Sequence, residues 1–202
     1  MRNINRLAIS FTVAGHAEYK QAVKKVSQPF VLRGKGLILL EVYMVEFIPG
    51  HVYFIKDEFF EFVQEPYLIQ NKPTTKRPHY YAIQDRKTGL YWMIPCSSRV
   101  DKYKRIIERQ KKSGHAVTTI KIEKIAGRES ALLLQDMFPI SEKYVEPYYR
   151  GGHPVRIGNP KFIKELERAS NQVIGMIRAG IQFTKYQPDA LRLERLLLEE
   201  ES

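Results

Sequence analysis

Apolar residues fall at helical spacing in three stretches of this chain and at strand spacing in most of the rest. The first helical stretch, Val100 to Ser113, sets Tyr103, Ile106 and Ile107 on one side against a basic opposite face, and Gly114 supplies its stop. A second opens at Asn159 as cap, with Pro160 in the first turn, and runs to about Arg178. Its stripe is Phe162, Ile163, Leu166, Ala169, Val173, Ile174 and Ile177, with Gly180 beyond its end. A third begins near Asp189, after Pro188, and carries Leu191, Leu193, Leu196, Leu197 and Leu198 towards an acidic tail. Among the strand-like segments, His79 to Gln84 and Leu90 to Ile94 are rich in Tyr, Trp and Ile and are separated by Asp85-Arg-Lys-Thr-Gly89, which predicts a β-hairpin. Thr118 to Ile125 and Ala131 to Gln135 predict a second hairpin around Ala-Gly-Arg-Glu. Val52–Ile55 and Phe59–Val63 fit short strands or short amphipathic elements, and residues 71 to 78 read as a polar connection. Strands come first and helices last. The expected fold is α+β: a small, strongly bent antiparallel sheet with an inserted basic helix and a helical C-terminal layer.

The N-terminal part does not share this punctuation. Arg2 and Arg6 followed by Leu7 to Ala14 look like a weak signal peptide, but Ser10 and Thr12 interrupt the apolar region and no secreted pattern follows, so export is not expected. The run from Leu37 to Ile48 is broken by Glu41 and Glu46 and falls short of the roughly 18 apolar residues that a spanning helix needs. No membrane partner is expected. Residues 1–45 therefore read as an N-terminal extension, with Met44 as a candidate start, and residues 46–202 as the domain proper.

Composition narrows the class. With 202 residues, 44% hydrophobic and 27% charged, the chain is neither low-complexity nor disordered. Its net charge of +11 points to a polyanionic partner. Between Lys72 and Arg128 there are 15 Lys and Arg against 4 Asp and Glu, whereas the rest of the chain has 18 of each sign. One segment thus carries the whole imbalance, the electrostatic footprint of a polyphosphate binder. The single Cys96 forbids an internal disulfide and fits a reducing, cytoplasmic setting. The five histidines lack metal-ligand spacing, and Gly34-x-Gly36 lacks the third glycine of a dinucleotide loop, so neither metal nor cofactor is expected.

A hairpin returns on itself, so Arg77-Pro-His79 at the start of one strand and Ile94-Pro-Cys-Ser97-Ser98-Arg99 at the end of the other are neighbours. One imidazole, two hydroxyls, a guanidinium and the nearby Lys102 suit the attack of an RNA 2′-hydroxyl on its adjacent phosphate. Here His79 moves the proton, while Ser97, Ser98, Arg99 and Lys102 hold and neutralise the phosphate. The plainer alternative is that Ser98 merely caps the following helix. Lys76, Arg77, Tyr81, Lys104, Arg105, Arg109, Lys111 and Lys112 are candidate RNA-binding residues. A second class of function, a non-catalytic RNA-binding module, would use the same basic face with Tyr80, Tyr81, Tyr91 and Trp92 as stacking surfaces. Core packing is the competing explanation for those aromatics.

Phe54-Ile-Lys-Asp-Glu-Phe-Phe60, Arg77-Pro-His-Tyr-Tyr81, Gly89-Leu-Tyr-Trp92, Ile94-Pro-Cys-Ser-Ser-Arg-Val-Asp-Lys-Tyr103 and Gln135-Asp-Met-Phe-Pro139 follow one another in order. Over about Phe47 to Glu200 this arrangement resembles the endoribonuclease toxins of type III toxin-antitoxin systems, the ToxN/AbiQ/CptN group. The resemblance implies a barrel-like sheet akin to the MazF and Kid toxins, enlarged by helices. It also implies metal-independent cleavage of mRNA to a 2′,3′-cyclic phosphate, in phage defence or growth control. Its implied partner is an antitoxin RNA of repeated pseudoknots, which blocks the groove in a cyclic toxin–RNA assembly. The family's hydroxyl pair falls on Ser97 and Ser98, and its following basic positions on Arg99 and Lys102. Its first-strand basic position, lysine in ToxN-like members, falls on His79, with Lys76 and Arg77 close by. Residues 1–45 have no counterpart in that pattern.

Overall fold

The computed structural model describes residues 47–114 and 118–201, together with the backbone of residues 23–31 and 37–45. The signal-like segment from Arg2 to Ala17 lies outside the described residues. Strands β1 (Val23–Val31) and β2 (Leu37–Val45) pair antiparallel as a sheet of their own.

Seven further strands form the main sheet: β3 (Val52–Ile55), β4 (Pro78–Gln84), β5 (Tyr91–Ser97), β6 (Ile120–Ile125), β7 (Arg128–Leu133), β8 (Phe138–Ile140) and β9 (Val145–Pro147). All their pairings are antiparallel, in the order β6-β7-β5-β4-β3-β9. Opposite β4, β5 is flanked first by β8, at Tyr91 to Met93, and then by β7, at Cys96 and Ser97. A short 3₁₀ turn, Leu134–Asp136, joins these two partners. The order is open: β6 and β9 end the sheet and do not pair with each other, so the expected barrel closure is not seen. A two-residue ladder, β10 (Tyr149–Arg150) with β11 (His153–Pro154), completes the strands.

Local chemistry explains both hairpins. In the β4–β5 loop the Asp85 amide donates to the Leu90 carbonyl at 2.9 Å, the Gly89 amide donates back to Asp85 at 2.8 Å, and Gly89 takes φ of 76°. The β6–β7 turn is two residues, Ala126 and Gly127, both left-handed at φ of 52° and 79°. That geometry matches the right-handed twist of the strands. It corrects the broader turn expected from the sequence, because Arg128 and Glu129 already belong to β7. Phe59–Val63 also resolves, as part of helix α1 (Asp57–Val63) following strand β3.

Strand alternation gives the sheet two apolar faces. One carries Val52, Tyr80, Trp92, Ile94, Cys96 and Leu132 against Leu166, Val173, Ile174 and Ile177 of helix α3 (Pro160–Arg178). The opposite face is shared by two covers. Tyr53, Met93, Phe138 and Ile140 pack with α1 and the C-terminal helix through Phe59, Leu193 and Leu197. Further along, Ile120, Ala131 and Leu133 pack with Tyr103 of the basic helix. These helices are α2 (Val100–Lys112), α3 (Pro160–Arg178) and α4 (Ala190–Glu200). Each large apolar side chain buried this way stabilises the fold by roughly 2 kcal/mol. Arg178 ties the covers together, pairing with Asp85 at the hairpin tip and with Glu194 of α4 at 2.7 Å, its guanidinium 5.9 Å from the Trp92 ring. Among the described residues no helix is long and apolar enough to cross a membrane.

Candidate active site

Chain order brings Ser97, Ser98, Arg99 and Lys102 together where β5 runs into α2. Ser97, the last strand residue, is half-buried; Ser98, Arg99 and Lys102 are exposed. The Ser97 hydroxyl accepts the Arg99 amide hydrogen at 3.3 Å and hydrogen-bonds the Tyr103 hydroxyl one turn into the helix. Arg99 occupies the cap position of α2, and its side chain makes no capping bond. The first N–H groups of the helix therefore receive no side-chain cap, and they lie at the positive end of the helix dipole. Flanked by two hydroxyls, a guanidinium and an ammonium, they form a surface suited to a phosphate.

His79 lies on the same sheet face but deeper. It pairs with Pro95 across the β4–β5 ladder, two residues and so about 7 Å along the strand from Ser97. Its ring is 2% exposed and stands edge-on to Phe138, with centroids 5.6 Å apart. Nδ1 lies 3.0 Å from the Arg77 carbonyl. A carbonyl can only accept, so Nδ1 carries the hydrogen and Nε2 the lone pair. Burial lowers its pKa to about 4, outweighing the support from the Arg77 carbonyl, and the imidazole is neutral at pH 7.

Asp136 is the residue that sequence reasoning missed. It ends the 3₁₀ turn between the two strands that flank β5, half-buried beside Tyr103 and Lys102 of α2. Burial pushes its carboxyl up to about 6, against a hydrogen bond from Gln135 and the Lys102 charge, which both favour the anion. Gln135 is itself held in place, since its amide donates to the Thr119 carbonyl at 3.3 Å and its side-chain oxygen lies 3.4 Å from the Thr119 hydroxyl. A single acid set among Leu132, Leu133, Leu134, Met137 and Phe138 was the available signal.

The candidate RNA-binding residues divide. Lys102, Arg105, Arg109 and Lys112 are all exposed and recur along one side of α2, a ridge about 15 Å long starting at the cluster. Lys104 instead pairs with Glu129 at 2.8 Å, and Lys76 pairs with Glu146. Lys111 is exposed near the helix end. Arg77 is half-buried, its Nε donating to the Gln70 carbonyl at 2.8 Å. Tyr81 is half-buried beside Phe47, which stacks on Tyr91 at 3.7 Å. The idea of Tyr80 and Trp92 as stacking surfaces is corrected: at 2% and 0% exposure both belong to the core against α3. Among the described residues, no three His, Cys, Asp or Glu side chains are placed to hold a metal ion.

No family model matches the chain, and no curated protein matches it. Solved structures do. AbiQ, a lactococcal anti-phage endoribonuclease of the type III toxin-antitoxin system, aligns at TM-score 0.54 and 13% identity, over 75% of this chain and 98% of its own. A chain from a bacterial antiviral system regulated by a processed non-coding RNA aligns at 0.54 and 14%, over 72% and 95%. A third, from a bacterial type III toxin-antitoxin system in which a non-coding RNA pseudoknot selectively inhibits the toxin, aligns at 0.50 and 15%, over 77% and 99%. The chain thus has the fold seen in type III toxin structures, nearly whole.

Proposed function

We propose that the protein is a metal-independent, sequence-selective endoribonuclease toxin. The observation that carries this reading is the uncapped start of α2, set among Ser97, Ser98, Arg99 and Lys102 and continued by a cationic ridge. The likeness in fold to type III toxin structures supports it. A scissile phosphate seated on those N–H groups is neutralised by Arg99 and Lys102 and hydrogen-bonded by the serines. Attack by the neighbouring 2′-hydroxyl then yields a 2′,3′-cyclic phosphate and a free 5′-hydroxyl. These donors stabilise the pentacoordinate phosphorane without a bound metal. The sequence reading names His79 as the proton acceptor, a role that its neutral ring with the lone pair on Nε2 suits and its 2% exposure opposes. The ridge of Lys102, Arg105, Arg109 and Lys112 guides single-stranded mRNA into the site, and Lys104, Lys111, Lys76, Arg77 and Tyr81 are the further RNA-binding candidates named from the sequence. A non-coding antitoxin RNA of repeated pseudoknots, closing into a cyclic assembly with the toxin, occupies the same surface and inhibits it, and release of the toxin serves phage defence.

The test is incubation of the purified chain with single-stranded RNA in EDTA, followed by analysis of the fragment ends. Cleavage to cyclic-phosphate ends is expected. Binding without cleavage, with or without divalent ions, would replace this reading with the RNA-binding module, and cleavage that requires added metal would overturn the mechanism.

A further inference from the structure

We infer that Asp136 is a further catalytic residue, the group that takes the proton from the attacking 2′-hydroxyl. This inference rests on the endoribonuclease reading above. Three placements carry it. Asp136 sits where the strand partner of β5 changes from β7 to β8, so its turn lies alongside Ile94 and Pro95, two to three residues before Ser97. On the α2 side its electrostatic neighbours are Lys102 and Tyr103, and Tyr103 is joined to Ser97 by a hydrogen bond, with Arg99 also within electrostatic reach of its hydroxyl. Within its own turn Gln135 donates to it, braced by Thr119 from the start of β6. On the α3 side the turn presents Leu134, which packs in the apolar cluster with Leu166. A carboxylate hydrogen-bonded by an anchored amide, with a cation and a hydroxyl near it and apolar packing on the α3 side, is the arrangement expected of a general base.

His79 has the lone pair but not the access. The chemistry balances through Asp136. The O2′–H bond breaks and the proton moves to the carboxylate, O2′ bonds to phosphorus, the P–O5′ bond breaks, and O5′ takes a proton from the Lys102 ammonium. Exchange with solvent then returns both side chains to their starting states. Burial, which holds the carboxyl up near 6, makes Asp136 a stronger base than an exposed carboxylate while leaving it mostly ionised at pH 7.

The deciding experiment is the pH profile of kcat/KM for a short single-stranded RNA, with wild type, Asp136→Asn and His79→Gln measured together. Wild type should lose activity on acidification with a midpoint near 6, and Asp136→Asn should be slower by about 10²–10⁴-fold and lack that limb. Asp136→Asn should bind a 2′-O-methyl RNA as wild type does. His79→Gln should keep the limb. A midpoint near 4 that disappears in His79→Gln, or an Asp136→Asn enzyme as fast as wild type, would overturn the inference while the endoribonuclease reading stands. A wild-type chain that cleaves no RNA at any pH would instead sink that reading. Should Asp136→Asn fail to fold, the wild-type and His79→Gln limbs decide the matter alone.

Discussion

Helices α2 and α3 begin in opposite ways. α3 starts with Asn159, whose side chain accepts the amide hydrogens of Lys161 and Phe162 at 3.1 and 3.2 Å, and with Pro160 in its first turn. Asp189 does the same for α4, accepting the Arg192 amide hydrogen at 3.0 Å. α2 has Ser98 immediately before its cap position, yet its first N–H groups receive no cap from Arg99, and the Ser97 hydroxyl accepts the Arg99 amide hydrogen instead. The starts of α3 and α4 are closed by side chains, whereas short α1, like α2, has no side-chain cap. The start beside the cationic cluster is left for another acceptor, and a phosphate is the acceptor its surroundings favour.

The sharpest way to break this contrast is to remove the groups at the open end. Arg99→Ala and Ser98→Ala are each expected to slow RNA cleavage by about 10²–10³-fold, as for the loss of a transition-state donor. The exposed Ser98 should leave thermal stability within about 0.5 kcal/mol of wild type. A Ser98→Ala protein that is destabilised but fully active would make Ser98 a cap after all.

His79 supplies the next effect, on stability rather than rate. Its folded pKa of about 4 lies below the 6.5 of a free imidazole. Above pH 6.5 both states hold it neutral. Between 6.5 and 4 the unfolded chain binds the proton and the folded chain does not, so stability is lost as the pH falls, by at most roughly 3 kcal/mol. Asp136 acts in the opposite sense, because its raised pKa contributes stability below the ordinary carboxylate range that is lost as the pH rises through about 6. Urea titrations of wild type and His79→Gln at several pH values isolate the histidine contribution as their difference. A difference that does not change between pH 7 and 4 would mean that the ring is solvated.

Closing residues should behave in the converse way to the open end. Asn159→Ala is expected to cost about 1 kcal/mol, a fall of about 2–4 °C in Tm, with cleavage unchanged. Neutralising Lys102, Arg105, Arg109 and Lys112 together should leave Tm nearly constant and flatten the salt dependence of RNA binding, by about 0.7 in the log–log slope for each phosphate no longer neutralised. The smallest effect is expected from a chain that starts at Met44. It should fold with little change in Tm, measured by calorimetry, because β1 and β2 pair as a separate sheet.

What was legible in the sequence was local. Asn159-Pro160, Asp189 and the Asp85–Gly89 loop announce themselves because caps and turns are built by adjacent residues, and Ser97 to Lys102 could be placed together because six residues span them. The Ala126–Gly127 turn is narrower than the sequence pattern predicts, since alanine gives no sign of a left-handed backbone. β8 and β9, Phe-Pro-Ile and Val-Glu-Pro, are three residues each and contain proline. They are strands because β5 and β3 pair with them from 40 or more residues away in the chain, which no local pattern records. The same holds within the site. The burial of His79 depends on Phe138, and the setting of Asp136 on the return of Tyr103, so neither environment was written beside the residue itself.

The division of one sheet face between two covers has a mechanical consequence. The cover made by α1 and α4 is broad and mainly apolar, whereas α2 is fastened mainly by Tyr103 on Ile120, Ala131 and Leu133, with Ile106 and Ile107 only half-buried. A helix held by so narrow a patch opens before the rest of the domain does, so its amides should exchange with solvent sooner than those of α3. Ser97 stands at the hinge of that flap, at the end of β5, and Asp136 in the turn between β7 and β8, while Arg99 and Lys102 ride on the flap itself. Mild heating should therefore separate the two halves of the site and silence the protein while its core is still intact.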